Sequence, residues 1–372
     1  MEPQGVDYSV IKEKSVHGRY VINHDILKFL EKLPKAFLVK EEGKSVLGAP
    51  INSVTIGKGD RKVLMWSQMH GNEATTTKAV LDMLNFVQGT SPVGKNILDQ
   101  CTLMIIPMLN PDGAAAYTRV NANAVDLNRD AQHRTQPESN LLRKVFDTFR
   151  PHYCFNLHDQ RTIFNTGDSP NPATVSFLAP AYNKERSVSA TRGQSMQLIV
   201  AMNQVLQKRI SGQVGRYDDA FNSNCVGDTF QMLNTPTILF EAGHFPSDYE
   251  REQTREYIFT ALITALEVIA TDQVASYKLE TYFNIPENSK QFFDILIHNA
   301  EALNMDYSKG SSIGILYKEV LRNSDIILDP KIEKIGNLTD FYGHKTYNCL
   351  NNNELDELLA NSALKKLLMQ TG

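Results

Sequence analysis

Residues 62–73, K-V-L-M-W-S-Q-M-H-G-N-E, decide how the rest of the sequence is interpreted. An apolar run ends in a small turn that presents His70 and, three residues later, Glu73, and a helical pattern begins immediately afterwards. The turn brings the two side chains back toward one point, where an imidazole and a carboxylate can bind the same metal ion. The stretch therefore predicts two ligands of a zinc site at the end of a strand.

A catalytic zinc needs a third protein ligand and an open position for water. His158 is the best candidate because it directly follows the apolar strand Y-C-F-N-L. A lone histidine is more often a hydrogen-bonded or surface residue, and the H-x-x-E spacing by itself is a weak signal. The zinc prediction therefore depends on the residues that accompany these three.

The composition excludes several classes of protein. The chain has 372 residues, 42% of them hydrophobic and 22% charged, which is ordinary for a soluble globular protein. Its net charge of −4 argues against nucleic acid or an anionic membrane surface as the main partner. The four cysteines are scattered without a CxxC pair, which favours buried thiols in a reducing compartment over disulfides.

The N-terminal residues and the apolar runs predict neither a signal peptide nor a membrane span. The first ten residues lack a positive n-region and an apolar h-region, so we expect no signal peptide. No apolar run approaches the ~20 residues that span a bilayer. We therefore expect a cytoplasmic protein without a membrane segment.

Predicted strands alternate with predicted helices. Apolar runs predict strands at residues 37–40, 50–57, 63–66, 102–107, 153–157 and 237–240, and helical spacing predicts helices at residues 21–33, 74–88, 138–149, 193–210 and 248–270. This alternation indicates an α/β fold with a mixed, mainly parallel sheet and helices on both faces. His70, Asn110, His158 and Glu241 each follow an apolar run, at the edge where ligands bind in such sheets.

The segment between the second and third predicted ligands suits an anion. Asn110-Pro-Asp-Gly113 is predicted to be a turn, because proline fixes φ and glycine tolerates positive φ. Arg119 and the run V-D-L-N-R that ends at Arg129 follow it. An arginine can form two bonds to a carboxylate or stabilise an oxyanion. The alternative is that both arginines make surface ion pairs.

Taken in order, five short motifs resemble the zinc metallocarboxypeptidase family, the superfamily of carboxypeptidase A type that includes succinylglutamate desuccinylase-like relatives. Each motif is short, but the ordered set is highly specific. The resemblance covers roughly residues 40–270 and implies a carboxypeptidase-like fold. The motifs are H-G-N-E (70–73), N-P-D-G (110–113), R-V-N-A-N-A-V-D-L-N-R (119–129), L-H (157–158) and F-E-A-G (240–243).

The resemblance implies a metal site and a base. His70, Glu73 and His158 are expected to hold one zinc ion, and Asp126 to accept a hydrogen bond from the far nitrogen of His70. Glu241 is expected to be the general base that takes a proton from zinc-activated water and delivers it to the leaving amine. The alternatives are a helix-cap or turn role for Asp126 and a strand-end ion pair for Glu241.

The resemblance also implies substrate contacts. Arg119 is expected to stabilise the tetrahedral oxyanion, and Asn128 and Arg129 to bind the terminal carboxylate of the substrate. Tyr217, in G-R-Y-D-D-A, lies at about the family distance before the base, although no local motif distinguishes it from a structural tyrosine.

The sequence departs from the digestive carboxypeptidases near Asn128 and Arg129, the residues expected to anchor the terminal carboxylate of the substrate. Asp130 and Asp159 add two carboxylates there, which we expect to meet Arg161 or a cationic group of the substrate. The segment between Arg129 and His158 is short, so long loops that shape a peptide groove are not expected.

From about residue 275, the pieces K-L-E-T-Y-F, S-I-G-I-L-Y-K and D-I-I-L-D predict short strands, followed by an amphipathic helix at residues 354–368.

These expectations combine into one functional hypothesis. Residues 1–45 form an N-terminal lead-in, residues 46–272 a zinc hydrolase domain, and residues 273–372 a β-rich domain with a terminal helix. The substrate is a peptide or an N-acyl amino acid whose scissile amide lies next to a free carboxylate. The C-terminal domain resembles the desuccinylase and aspartoacylase branch, so a deacylase is the main alternative. A cell-wall amidase is disfavoured by the missing export signal, and a non-catalytic binding module by the presence of ligands, base and arginines together.

Overall fold

The computed structural model describes residues 7–369. The sequence-based expectation that no signal peptide is present rests partly on residues 1–6, which lie outside that range. Within it, no helix is both long and apolar enough to cross a bilayer.

The strands are β1 (Leu38–Lys44), β2 (Pro50–Gly57), β3 (Arg61–Ser67), β4 (Cys101–Ile106), β5 (Tyr153–Asp159), β6 (Asn165–Thr166), β7 (Val175–Leu178), β8 (Val214–Arg216), β9 (Thr237–Ala242), β10 (Asn288–Ser289), β11 (Phe292–His298), β12 (Ser312–Arg322), β13 (Asp325–Gly336) and β14 (Tyr342–Asn348).

The helices differ widely in length, and short 3-10 helices at Leu127–Arg129, Val274–Ser276, Leu279–Asn284 and Ala300–Ala302 supplement them. The α-helices are α1 (Tyr8–Ile11), α2 (Asn23–Leu30), α3 (Thr75–Gln88), α4 (Pro92–Gln100), α5 (Pro111–Ala116), α6 (Pro137–Phe149), α7 (Ala190–Leu206), α8 (Val226–Met232), α9 (Glu252–Ala270), α10 (Asn352–Ala360) and α11 (Ser362–Met369).

An eight-stranded mixed sheet forms the centre of the described chain, in the order β1-β2-β4-β3-β5-β9-β7-β8. The four middle strands, β4, β3, β5 and β9, run parallel to one another. Side chains of β3 alternate between two cores: Val63 and Met65 pack with α3, α7 and α9, whereas Leu64 and Trp66 pack with α6 and α8. Helices therefore cover both faces, and the predicted α/β fold class is confirmed.

A smaller four-stranded sheet, in the order β13-β12-β11-β14, follows at the C-terminal end. Its strands bury a separate core with α10 and α11. The predicted division into residues 1–45, 46–272 and 273–372 remains a prediction. The first predicted boundary separates two strands that pair, because β1 lies in the lead-in and β2 in the hydrolase domain.

Some local predictions were wrong because tertiary packing or side-chain caps overrode the pattern. K-L-E-T-Y-F was expected to be a strand, but it forms the 3-10 helix Leu279–Asn284, which buries Tyr282. The single helix predicted for residues 354–368 is two helices, because the Asn361 side chain accepts the N–H groups of Ala363 and Leu364 and starts α11. Helix α4 and the short strands β6 to β8 were not predicted.

A buried ion pair joins the two helices behind the sheet. Asp82 on α3 receives two hydrogen bonds of 2.7 Å from Arg255 on α9, and both side chains are fully buried. Asp82 also accepts the hydroxyl of Tyr8 and the backbone N–H of Glu13, both at 2.7 Å. The Asp82 carboxylate therefore accepts hydrogen bonds from three residues. Its removal would leave the buried guanidinium of Arg255 without this buried ion-pair partner.

We predict that Asp82→Ala lowers the free energy of unfolding by about 3–5 kcal/mol, because removing one partner of a buried ion pair leaves the other charge buried and unpaired. Urea denaturation measures the change. The matched control is Arg143→Ala, which breaks the surface pair with Asp147 on α6 and should cost under ~1 kcal/mol. Equal losses in the two variants would contradict this reading of the buried pair.

Candidate active site

The turn after β3 is fixed by a buried glutamine and by close backbone packing. Gln68 has a positive φ of 49°, and its side-chain amide donates to the carbonyls of Val21 (2.8 Å) and Gly71 (2.9 Å). A Cβ added to Gly71 would lie 1.9 Å from the backbone carbon of Gly113. The H-G-N-E and N-P-D-G motifs therefore touch through their backbones, and position 71 has no room for a side chain.

The predicted N-P-D-G turn is instead the start of helix α5. Asn110 caps that helix, since its side-chain oxygen accepts the N–H of Gly113 at 2.9 Å. Its side-chain nitrogen donates to the carbonyl of Met69 at 3.1 Å. Asn110 thus binds the residue before His70, and its role is to hold the turn.

The three predicted metal ligands come together. The Nδ1 atom of His70 lies 2.9 Å from one oxygen of Glu73, and the Nδ1 atom of His158 lies 2.9 Å from the other. The two Nδ1 atoms are 3.1 Å apart. All three side chains are buried, with exposed fractions of 1% or 2%.

This donor set fits a zinc ion. Tetrahedral zinc with bonds of about 2.0–2.1 Å requires donor atoms roughly 3.3 Å apart. The observed separations of 2.9 to 3.1 Å approach that value. Two imidazoles and one carboxylate also leave a fourth position for water, which is the arrangement of catalytic zinc sites.

The cluster attracts positive charge. Burial lowers the pKa of His70, but the charge of Glu73 and a hydrogen bond to Asp126 outweigh it, so the pKa is raised. Burial raises the pKa of Glu73, but the two histidines hold it well below its ordinary value. Burial keeps the pKa of His158 low despite the nearby carboxylate. Metal ions compete with protons for such groups.

Asp126 combines its predicted role with the alternative one. One carboxylate oxygen lies 3.0 Å from Nε2 of His70 and accepts the backbone N–H of Asn128 at 2.9 Å, which caps the 3-10 helix Leu127–Arg129. The other oxygen accepts Nε–H of Arg119 at 3.0 Å. A proton on Nε2 of His70 leaves the Nδ1 lone pair free for a metal.

Glu241 lies beside the predicted ligands. It pairs with His158 in the register of β5 and β9 and lines the same cavity. Its Oε2 atom is buried and has no hydrogen-bond partner among residues 7–369. Burial, with the charges of Glu73 and Asp159, raises its pKa well above the ordinary value. Glu241 makes no ion pair with any residue of the described chain, unlike the surface ion pair considered as the alternative.

The anchor residues keep donors free toward the cavity. Asn128 accepts the backbone N–H of Val226 at 3.2 Å, which directs its NH₂ group elsewhere. Arg129 is exposed and forms no ion pair within the described chain, and both residues line the cavity. Arg119 pairs with Asp126, lies 3.5 Å from Glu73 and remains 43% exposed. All three can still reach a ligand.

Tyr217 also lines the cavity. Its ring contacts that of Phe164 edge-on, with centroids 5.3 Å apart. Burial raises the pKa of Tyr217, and the charges of Glu241 and Glu73 raise it further. The structure thus places this tyrosine near the predicted base, while contact with substrate stays a prediction.

The predicted contact of Asp130 and Asp159 with Arg161 was wrong, whereas the alternative contact with a cationic group of the substrate stays a prediction. Asp159 accepts the backbone N–H groups of Thr75 (2.7 Å) and Thr76 (3.1 Å) at the start of α3, where a helix needs acceptors. Asp130 accepts the backbone N–H groups of Thr135 and Gln136, both at 3.0 Å. Neither carboxylate pairs with Arg161.

Some residues in or next to the cavity were not predicted as site residues, and they come from distant parts of the chain; Arg161 was named only as a partner of Asp130 or Asp159. Arg161 and Asp228 line the cavity, and Glu319 on β12 pairs with Arg161 at 2.6 Å. Burial raises the pKa of Asp228 to about 7. No local motif surrounds these residues, so only the fold could bring them into view. The cavity has a volume of about 430 Å³.

Comparisons with known proteins agree with the fold and the motifs. Residues 22–198 match the model of the zinc carboxypeptidase family. Carboxypeptidase SOL1 of Arabidopsis thaliana is 27% identical over 209 residues, which cover 46% of this chain and 43% of that protein. Carboxypeptidase 2 of Trichophyton rubrum is 27% identical over 125 residues, covering 32% and 23% respectively. The match thus spans less than half of each of these relatives.

Two solved structures share the fold at low sequence identity. The metallo-carboxypeptidase from Burkholderia cenocepacia has a TM-score of 0.54 at 20% identity, over 67% of this chain and 69% of that chain. Carboxypeptidase A from Helicoverpa armigera has a TM-score of 0.54 at 17% identity, over 68% and 74%. The family match over residues 22–198 supports the predicted resemblance to the zinc metallocarboxypeptidase family, and the two solved structures show that the chain shares the fold of these carboxypeptidases.

Proposed function

We propose that this protein is a zinc-dependent hydrolase that cleaves an amide bond next to a free carboxylate. The observation that carries the proposal is the convergence of His70, Glu73 and His158, with donor atoms 2.9 to 3.1 Å apart. Glu241 adds a buried carboxylate oxygen without a partner in the described chain, in the same cavity. A metal site and a base thus share one wall.

His70, Glu73 and His158 would hold the zinc ion, which would act as a Lewis acid that lowers the pKa of water toward ~7 and polarises the substrate carbonyl. Glu241 takes the proton from the attacking water and carries it to the leaving amine. The raised pKa of Glu241 suits both halves of this transfer, because the group must accept a proton and then release it.

Arg119 and Arg129 are assigned to different parts of the substrate. Arg119, held by Asp126 and still 43% exposed, donates to the carbonyl oxygen as negative charge develops on it. Arg129 and the NH₂ group of Asn128 bind the free carboxylate that follows the scissile amide. The absence of an ion pair on Arg129 among residues 7–369 supports this assignment, because its guanidinium is available to a ligand.

The substrate is a peptide or an N-acyl amino acid. A deacylase is the alternative, favoured by one observation: Glu319 of the small C-terminal sheet contributes to the cavity wall through Arg161. A non-catalytic binding module is the third reading. We also propose a cytoplasmic location, which rests on the composition and the scattered cysteines alone.

Glu241→Gln is predicted to keep about one equivalent of zinc and to lower kcat for amide hydrolysis at least ~100-fold, since the proton carrier is lost. Zinc content by plasma emission spectrometry and steady-state kinetics test this. His70→Ala is the control and should lose the metal as well as the activity. Activity of Glu241→Gln within tenfold of the wild type would exclude Glu241 as the base.

Asp126→Asn is predicted to weaken zinc binding by about 10–100-fold, because the hydrogen bond that fixes the His70 tautomer is disturbed. Competition with a chromogenic chelator at constant pH measures the dissociation constant. Asp228→Asn is the matched control, since this carboxylate lines the same cavity but has no hydrogen bond to the three ligands. Equal zinc affinity of Asp126→Asn and the wild type would remove Asp126 from the metal site.

A substrate panel is predicted to show that the free carboxylate is required. Blocked peptides and N-acyl amino acids with a free terminal carboxylate should be hydrolysed, whereas their terminal amides should lose at least ~100-fold in kcat/KM, because two charge-assisted bonds to Arg129 are lost. The better substrate class then distinguishes carboxypeptidase from deacylase. Equal hydrolysis of acids and amides would contradict the anchor, and no turnover by zinc-loaded protein would favour the binding module.

A further inference from the structure

Arg161 lies on a wall of the cavity that the proposed mechanism does not use. It follows β5, two residues after Asp159, and lines the cavity beside Thr162 and Phe164. Its guanidinium donates to the carbonyl of Asn72 at 2.8 Å, next to the predicted ligand Glu73. It also lies 5.4 Å from the ring centre of Tyr117.

Glu319 of the small C-terminal sheet fixes this arginine. Its carboxylate pairs with Arg161 at 2.6 Å and also contacts Arg19 and the hydroxyl of Tyr117. The Glu319 side chain is only 6% exposed. Burial raises its pKa, but the arginines outweigh that effect and bring the pKa to about 2. Arg161 is therefore held in one orientation by a charged, buried partner.

The wall carries more positive than negative charge. Glu319 is shared by Arg19 and Arg161, so one carboxylate serves two guanidinium groups. Arg251, behind them, is fully buried and has no ion pair with any carboxylate of residues 7–369; it donates to the carbonyls of Gln160 and Ala242. Of these three arginines, only Arg161 lines the cavity, so the excess positive charge of the group is presented to a ligand there and attracts an anionic group.

Arg161 keeps donors for such a group. A guanidinium has five N–H groups, and a carboxylate takes two of them. Three N–H groups of Arg161 face Asn72, Tyr117 and Glu319. The other two N–H groups, including Nε–H, have no partner in the described part of the chain. Two free N–H groups are the number that one carboxylate accepts in a bidentate pair.

Arg161 and the anchor lie on different walls. Asn128 and Arg129 contact the start of α8 and the residues before it, through Val226 and Asn224 respectively. Arg161 instead contacts Asn72 and Tyr117, and it shares no partner with the anchor. A substrate that places one carboxylate at Arg129 and its amide at the predicted metal ligands extends its acyl part toward the rest of the cavity. Arg119 is assigned to the carbonyl oxygen, so Arg161 is the cavity arginine that remains for the acyl part.

We propose that Arg161, positioned by Glu319, binds a second carboxylate of the substrate on the acyl side of the scissile amide. The inference rests on the proposed function and specifies its substrate class. The preferred substrates carry two carboxylates, one on each side of the amide. The second belongs either to a dicarboxylic acyl group or to an acidic residue before the terminal one.

Two pairs of matched substrates test the proposal and distinguish these sources. N-succinyl-alanine is compared with N-succinamyl-alanine, and acetyl-Glu-Ala with acetyl-Gln-Ala. In at least one pair, the wild type should prefer the acidic member by about tenfold or more in kcat/KM, as expected for a charge-assisted pair of bonds. Selectivity in the first pair identifies a small acyl group, and selectivity in the second a peptide.

The variants locate the selectivity. Arg161→Gln should bring the ratio of kcat/KM values close to one, and Arg161→Lys should retain part of it, because lysine keeps the charge without the fork. Glu319→Gln should lower the ratio through a higher KM for the acidic member with little change in kcat, which a merely structural defect would not produce. Arg143→Gln, on the surface of α6, should leave activity and ratio unchanged.

A binding experiment separates the subsite from the hydrolysis. Zinc-loaded Glu241→Gln is titrated calorimetrically with the two alanine compounds and the two dipeptides, with and without Arg161→Gln. Selective binding that depends on Arg161, without turnover by the wild type, supports the subsite and contradicts the hydrolase. Turnover with equal kcat/KM in both pairs, or a ratio unaffected by Arg161→Gln, overturns the subsite alone. Neither binding nor turnover overturns both.

Discussion

Two imidazole nitrogens and a carboxylate, all within 3.1 Å of one another in a buried site, form the interaction on which the rest of the structure depends. Such a set is stable when a cation is shared among the donors. The parallel strands β3 and β5 bring His70 and His158 to one edge of the sheet. The turn at Gln68 and the contact of Gly71 with Gly113 then fix the direction of the first ligand.

The charges around this centre are arranged so that each carboxylate has a distinct task. Asp126 faces the far nitrogen of His70, and Asp159 accepts the first N–H groups of α3. Among the carboxylates that line the cavity, only Glu241 has a buried oxygen without a hydrogen-bond partner in the described residues. Glu241 has a raised pKa and lies beside the three predicted ligands, and we therefore propose it as the group that carries the proton.

Sequence reasoning found the residues whose motifs are local and missed those that only the fold brings together. His70 and Glu73 stand in one turn, and His158 and Glu241 end apolar strands, so strand order and spacing sufficed to predict their meeting. Arg161 and Glu319 meet across the two sheets, and no pattern around either residue encodes that contact. The helix cap made by Asp159 was missed for the same reason, since α3 begins far from it in sequence.

We propose that His70, Glu73 and His158 hold one zinc ion. Anomalous diffraction from crystals of the purified protein, recorded on both sides of the zinc absorption edge, tests this proposal most directly. A single peak is expected about 2.0–2.2 Å from Nδ1 of each histidine and from a carboxylate oxygen of Glu73. A zinc-loaded crystal with its peak elsewhere, or with no peak between these three residues, would contradict it.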